Sequence, residues 1–505
     1  MVGSLIWSLT MVKSGLVYDY GMGFWGANAH DGLWHVTLIE SLSHGSLKLP
    51  IFSGETIHNY HIGFDLILAI ISKLTHIPPL NLYFQIVPPI MAILIGYLSY
   101  RLTRNIWVLF FVYFGGSLGW VFSGGESMFW AHQAISTLIN PPFALSLIFI
   151  LSGLLAWQNK RYVWMGIIFG LLVQIKIYAA ILVIGGLMVT VYWDRQLIKS
   201  LLTSLIIAIP IYFLTVGISS QVLVWHPFWY LETMMALADR FNWPRFYQAM
   251  TNYWLGGNYL KAFMAYGVAM VIFIIGNMGT RLVGIVEIRK NPQTIFYTAI
   301  AIAGLGIPML FVQTGTAWNS IQFFYYSLFF TGILAGVSIQ KFPRLLKILI
   351  VILTIPTSIL AMPHYLPQRP PAKISSLELK ALEFLKSQAS GITLVPAFDR
   401  DAANAAENNP PRPLYLYEST AYVSALSGQP VYMEDEGSLN ITGFDWQTRK
   451  KQIMDFWNEE NALVSKKFLD DKNIKYIYVP PKTKVPKTAV NIIFENTAVA
   501  IYGVK

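Results

Sequence analysis

The sequence predicts a polytopic α-helical membrane protein of about eleven spans, the first of them partial, with a water-soluble α/β domain at its C-terminal end. Three observations predict it. Hydrophobic residues make up 55% of the 505 and charged residues 12%, about half the charge of a soluble chain. The apolar residues come in blocks, many long enough to cross a hydrocarbon core of about 30 Å, and the loops between them alternate in character. After Met362 the blocks give way to mixed sequence, opened by the stiff run of Pro363, Pro367, Pro370 and Pro371.

The spans fall at 1–12 (a stub ended by Lys13), 82–100, 106–123, 142–157, 162–176, 178–193, 198–217, 262–277, 294–312, 323–339 and 344–361. One set of alternate loops is short and basic. It holds Arg101 and Arg104, Lys160 and Arg161, Arg195 and Lys199, Arg281 with Arg289 and Lys290, and Lys341 with Arg344 and Lys347. Positive loops stay in the cytoplasm. The other set, 18–81, 123–141, 218–261 and 313–322, is aromatic and mostly long, and faces outward. The expected location is the plasma (inner) membrane of a bacterium, multi-pass, with the domain 363–505 extracytoplasmic and the catalytic part in 1–362.

Two segments of loop 18–81 are apolar but too short to span. The stretch 62–74 contains Asp65 and Lys73, and 32–44 sets Leu33, Val36, Ile39 and Leu42 at near-helical spacing. Both read as helices lying along the membrane surface. In the tail, Ser375 and Glu378 form a capping box for a helix to about 386. Strands at 392–396, 414–417, 430–433, 474–479 and 499–502 alternate with helices at 419–427, 445–458 and 460–472, an α/β pattern. Glu434, Asp435 and Glu436 stand in one turn-like run that reads as a solvated loop, and the tail as an accessory domain that takes no part in chemistry.

Several function classes are excluded. With no cysteine there is no disulfide, thiolate nucleophile or Cys-ligated zinc. The net charge of +10 is spread over short loops, so it sets topology rather than binding nucleic acid.

Chemistry concentrates outside the spans. Loop 18–81 carries Asp19, His30, Asp31, His35, Glu40, Glu55, His58, His61 and Asp65. A helical reading puts Asp31 and His35 one turn apart, and sets His58, His61 and Asp65 in a second stripe. That pattern suits a carboxylate base oriented by imidazoles, against a bland reading of interfacial histidines among headgroups. A metal site is an alternative, since Asp31, His35, His58, His61 and Asp65 are suitable ligand types, with His35, His61 and Asp65 the narrower set. Lys176 comes about fifteen residues after Arg161, near the outer end of its helix. It either snorkels to headgroups or supplies a cation for a lipid phosphate. In 218–261, Arg240 and Arg245 stand among aromatics and could grip a phosphate, although an interfacial role is the plainer one. Asn319 and Gln322, three apart where a span opens, suit sugar hydroxyls or a helix cap equally.

These residues resemble the GT-C superfamily of membrane glycosyltransferases, which includes protein O-mannosyltransferases, the aminoarabinose transferase of lipid A and oligosaccharyltransferase. Ala29-His-Asp-Gly-Leu-Trp-His35 is similar to the acidic motif that follows the first span there. Asn59-Tyr-His-Ile-Gly-Phe-Asp65 is similar to the second surface helix. Tyr422-Val-Ser-Ala-Leu-Ser-Gly428, Val431-Tyr-Met433 and Ile474-Lys-Tyr-Ile-Tyr478 resemble soluble domains of bacterial members. Two departures stand out: the first span is nearly absent, and Gly32 occupies the place of the usual second acid. The resemblance implies inverting transfer of a sugar from a polyprenyl-phosphate carrier to a lipid, glycan or protein acceptor at the outer face. Asp31 would be the base, with His30 and His35 beside it. Lys176, Arg240 and Arg245 would meet the donor phosphate. Glu55, His58, His61, Asp65, Asn319 and Gln322 would meet the acceptor or sugar. No cofactor is required, a divalent metal being the alternative. The rival functions are a lipid-linked saccharide flippase or transporter, which wants ionisable residues at mid-membrane, and a non-catalytic envelope-assembly scaffold.

Overall fold

A computed structural model describes all residues except 123, 126, 133, 216–222, 289–290, 481–482 and 487–489. Arg289 and Lys290, and the start of the loop at 218–261, lie outside the described residues.

Seven described helices are long and apolar enough to cross a membrane: Pro79–Thr103, Pro141–Gln158, Leu197–Thr215, Tyr259–Glu287, Pro292–Leu310, Ala317–Lys341 and Arg344–Tyr365. The chain is a multi-pass helical membrane protein. The other four predicted spans fall on shorter helices, Val2–Val12, Ile106–Phe114, Tyr162–Ile175 and Ile177–Thr190. Ala317–Lys341 buries 72% of its apolar stretch, whereas Leu197–Thr215, Tyr259–Glu287 and Arg344–Tyr365 bury 28% each. The first is therefore a central helix and the other three offer most of their apolar surface to lipid.

The chain divides into two compact units. The first comprises Met1–Ser8 and Pro89–His364. In it the stub is fixed by Trp7, whose ring packs edge-on against Tyr113 at 4.9 Å and whose Nε1 donates to the Tyr113 carbonyl. The predicted span 106–123 stops at Phe114 because Gly115 and Gly116 follow. Their carbonyls accept from the Arg281 guanidinium, and a Cβ on Gly115 would lie 2.7 Å from Arg281 Nε. Arg281 is thus buried in the 3₁₀ continuation Gly279–Glu287 rather than solvated in a basic loop. Lys341, placed in another such loop, pairs with the buried Glu287.

The second unit comprises Leu9–Pro88 and Tyr365–Lys505. The first long loop and the tail therefore fold together, which replaces the division at 362/363 that set the loop with the spans. Strand Gly21–Phe24 pairs antiparallel with Ala372–Ile374, in register Met22 to Ile374 and Phe24 to Ala372. Gly21 has φ +110°, and a Cβ there would meet the Ile374 carbonyl at 2.0 Å, so only glycine fits. A second sheet has the order Ile392–Leu394, Ile474–Val479, Ala500–Val504, Val490–Glu495. One apolar core joins Trp34, Leu38, Leu49, Ile51 and Phe52 from the loop to Met433, Leu439, Phe456 and Ile477 from the tail.

The loop helices form at Asp31–Ser43 and Gly63–Thr75. The second keeps an exposed apolar stripe of Leu66, Ile70 and Leu74, as an interfacial helix should. The first does not: nine of its thirteen residues, Gly32 to Ile39 and Leu42, are buried, making it a core helix. Of the predicted tail strands, 474–479 forms as expected and 392–396 shortens. The segment 414–417 becomes a 3₁₀ turn, Leu414–Leu416. The segment 430–433 makes only a bridge from Val431 to Thr393, because its other partner is the first loop: Val431 N donates to the Pro50 carbonyl and Glu434 N to that of Ile51.

Ser427 is buried, whereas Ser390 is exposed, so the topology is testable at the latter. With no native thiol, Ser390→Cys should react with an impermeant maleimide on intact cells or spheroplasts. Labelling seen only after lysis would put the tail in the cytoplasm and overturn the outward orientation.

Candidate functional site

The acidic motif sits at a sharp change of backbone. A 3₁₀ turn, Gly26–Ala29, ends at His30, and the buried helix begins at Asp31. An acid in the first turn suits the helix dipole. The Asp31 side chain is 57% exposed, in contrast to the buried helix it opens. His30 lies between two carboxylates: its Nδ1 is 2.9 Å from Asp31 Oδ1, and its Nε2 is 2.9 Å from Asp435 Oδ1. Burial disfavours a charged imidazole here. The negative charge of Asp435 and the hydrogen bonds to both acids outweigh that and raise the His30 pKa well above its ordinary value. When protonated, His30 donates from both nitrogens, one to each carboxylate. The tail closes around the motif, with the Thr420 hydroxyl donating to the Ala29 carbonyl at 2.7 Å and the Thr37 hydroxyl to Ser424 at 2.8 Å.

In the described contacts the other histidines and acids of the loop have different partners. His35 turns to Asp65, Nδ1 to Oδ1 at 2.7 Å, in a pocket of Phe64 and Tyr83, with Asp65 wholly buried. The two form a buried pair of their own. Burial raises the Asp65 pKa against the pull of His35. His58 and His61 precede the helix that begins at Gly63, so the expected stripe with Asp65 is absent. His58 packs on Phe444 and its Nδ1 meets the Thr56 carbonyl, while the ring of His61 packs on Tyr60. Glu55 is exposed, and Glu40 pairs with Lys386. Among the described residues no group of three or more histidines, aspartates or glutamates could hold a metal ion, so the set His35, His61 and Asp65 does not assemble.

In the other unit, Lys176 is a single extended residue (φ −161°, ψ 109°) between Tyr162–Ile175 and Ile177–Thr190. Its side chain is buried, and Nζ donates to Asn140 Oδ1 at 3.4 Å. Asn140 Nδ2 donates to Gln322 Oε1 at 3.3 Å, and Gln322 to Asn319 Oδ1 at 3.4 Å. Tyr178, whose ring lies 5.5 Å from Lys176 Nζ, hydrogen-bonds Gln313. Lys176 thus shares one polar cluster with Gln322 and Asn319, which lie far from it in sequence. Arg240 is held by Asp239 at 3.1 Å and stacks on Trp130 at 4.2 Å, and Arg245 is exposed.

The oligosaccharyltransferase of Archaeoglobus fulgidus, tethered with an acceptor peptide containing the NVT sequon, is similar to this chain, with a TM-score of 0.51 and 13% identity over 95% of this chain and 68% of that one. The same archaeal enzyme in complex with zinc and sulfate gives 0.52 at 12% identity, over 95% and 67%. The chain carries the GT-C fold. ArnT from Cupriavidus metallidurans bound to undecaprenyl phosphate aligns over 99% of this chain and 96% of that one, at 11% identity and a TM-score of 0.48. No family model and no curated protein matches the sequence.

Within the GT-C fold the departure at Gly32 has a packing cause. A Cβ there would lie 2.6 Å from the Phe84 ring, so no second acid fits beside Asp31. Sequence reasoning missed two residues. Asp435 was set aside as solvated although it is 1% exposed, and Asn140 was passed over although it precedes two prolines and caps the helix they open. Its neighbours Glu434 and Glu436 are buried too. Glu434 accepts from the backbone N–H groups of Val423 and Ser424, and Glu436 pairs with Lys450 at 2.7 Å.

Burial lifts the Glu434 carboxyl to about 8, and that of Glu378, bonded by the Tyr478 hydroxyl, to about 7. Both acids keep a proton in the folded protein that the unfolded chain releases near 4.5. Their contribution to stability is therefore full below that pH and is lost as pH rises towards their folded values. The melting temperature of the purified protein should fall between pH 5 and pH 8, and Glu378→Gln with Glu434→Gln should flatten that dependence. An equally steep fall in the double variant would mean that other groups carry it.

Proposed function

We propose that the chain is an inverting glycosyltransferase that moves a sugar from a polyprenyl-phosphate carrier to an acceptor hydroxyl at the outer face of the membrane. The observation that carries this reading is an exposed aspartate at a helix start, held through a doubly bonded histidine, within a GT-C fold. The archaeal oligosaccharyltransferase of similar fold was crystallised with an acceptor peptide, which supports a separate acceptor for this chain.

In the proposed reaction Asp31 takes the proton of the acceptor hydroxyl. The acceptor oxygen bonds to the anomeric carbon from the face opposite the carrier. The bond from that carbon to the phosphate oxygen breaks, and its electron pair leaves with the polyprenyl phosphate. A phosphate leaving group needs a cation more than a general acid. Lys176 takes that role, a compact charge on a helix break whose neighbours Asn140, Gln322 and Asn319 offer amides to sugar hydroxyls or phosphate oxygens.

Asp31→Asn keeps shape and removes basicity. Turnover, read as polyprenyl phosphate released from a labelled donor, should drop by about 10²–10⁴ while donor binding persists. Wild-type turnover in that variant, with loss in Glu55→Gln or Asp65→Asn, would move the base elsewhere in the loop. Lys176→Ala removes a charge-assisted hydrogen bond worth about 1.5–3 kcal/mol, so donor affinity should weaken by about 10- to 100-fold. Unchanged affinity in a folded Lys176→Ala protein would return the lysine to a structural role.

A further inference from the structure

Asp435 combines features that a solvated turn does not need. Its side chain is fully buried. Its backbone is left-handed, at φ 56°, an uncommon conformation for a residue with a Cβ. Its Oδ1 accepts from the Ser438 N–H, capping the helix Glu436–Thr442, and also meets His30 Nε2, while Oδ2 is buried without a hydrogen-bond partner among the described residues. Two positions on, a Cβ at Gly437 would stand 3.0 Å from His30 Nε2, so the turn leaves room for the ring. A cap needs neither a charge nor an imidazole against it.

We propose that Asp435 is a positioning residue for the candidate base: acting through the His30 ring, it fixes the orientation of the Asp31 carboxylate. This rests on the reading of Asp31 as the base. The geometry gives each member one task. Asp435, rigid in the core of the tail, holds Nε2 and so sets the plane of the ring. The ring then presents Nδ1 to Asp31 Oδ1, which limits rotation of a side chain that is otherwise half in solvent. Among the described residues, the titratable groups that interact with Asp31 or His30 include Glu418 and Tyr417 from the tail and Tyr83 from the helix that follows the first loop. The carboxylate that touches the acceptor lies on the first loop, and the group that aims it comes more than four hundred residues later, at |i−j| = 405 for His30 and Asp435.

Asp435→Asn separates the roles. Asparagine caps helices and tolerates the left-handed region as well as aspartate does, so folding should be kept. What it removes is the charge facing His30. In the full-length variant the melting temperature should stay within a few degrees of wild type. The His30 imidazole, followed by side-chain nitrogen NMR and assigned with His30→Gln, should titrate at lower pH. With a polyprenyl-phosphate-linked hexose, kcat should fall by about 10- to 100-fold with donor KM unchanged, and the pH–rate profile should shift. An unmoved His30 titration would overturn the array. A shifted titration with wild-type kcat would overturn the positioning role. Asp31→Asn assayed alongside tells the two failures apart. An inactive Asp31→Asn beside a fully active Asp435→Asn removes only the positioning role, whereas a fully active Asp31→Asn removes the base itself.

Discussion

The pairing of the first long loop with the tail is the constraint on which the second unit depends. Neither segment can bury its apolar surface alone. The helix Asp31–Ser43 buries nine of its thirteen residues, with Trp34 and Leu38 on the side that meets the tail. Met433, Leu439 and Phe456 of the tail complete that core, and the strand Ala372–Ile374 pairs with Gly21–Phe24 as soon as the chain leaves its last long apolar helix. The Arg449 guanidinium closes the joint, stacked 3.5 Å above Phe52 and donating to the carbonyls of Ser53 and Tyr432. The polar contacts between the acidic motif and the tail follow from this packing. It brings Thr420 to the Ala29 carbonyl and Asp435 to His30.

The first unit obeys a different rule. In an apolar surrounding each backbone polar group must find a partner inside the protein. Breaks in its helices therefore coincide with side chains that serve the freed groups. Asn105 caps the helix Ile106–Phe114 and also donates to the Gly336 carbonyl. Asn140 caps the helix after the paired prolines. Arg281 serves the carbonyls of Gly115 and Gly116. Lys176 marks another break, and its amide donates to the Leu172 carbonyl to finish the preceding helix. A residue freed from helical geometry can aim its side chain independently of the helix face. That is why such a break is a natural place for a cation that meets a ligand.

The buried acids of the tail show how far environment overrides composition. Glu434, Asp435 and Glu436 are three consecutive carboxyls, a pattern that normally faces water. Here each has a separate polar task, on the backbone of Tyr422–Ser427, on His30 and on Lys450. A run of charge in sequence carries no information about which partners the fold supplies. Adjacent side chains point in different directions, and each direction met a different element.

What the sequence determined by itself was local and compositional. Apolar length located the helices, because crossing a membrane requires a continuous apolar stretch and little else. The helices of the loop and several of the tail were legible from periodicity, and Ser375 caps its helix by accepting from the Glu378 N–H. Asp31 stood out because Ala29-His-Asp-Gly-Leu-Trp-His35 resembles the acidic motif of a known superfamily, and Lys176 because a charge interrupts apolar sequence. The tertiary structure alone decided which of those groups meet. His35 lies one helical turn from Asp31 yet turns to Asp65, while His30, its neighbour in sequence, reaches across to the tail. It also decided that Gly32 could not be an acid, since Phe84 fills the space, and that 430–433 would pair with the first loop rather than extend a sheet. Periodicity reports which face of an element is buried. The chemistry of a site depends on what lies against that face, and that is fixed by contacts between segments hundreds of residues apart.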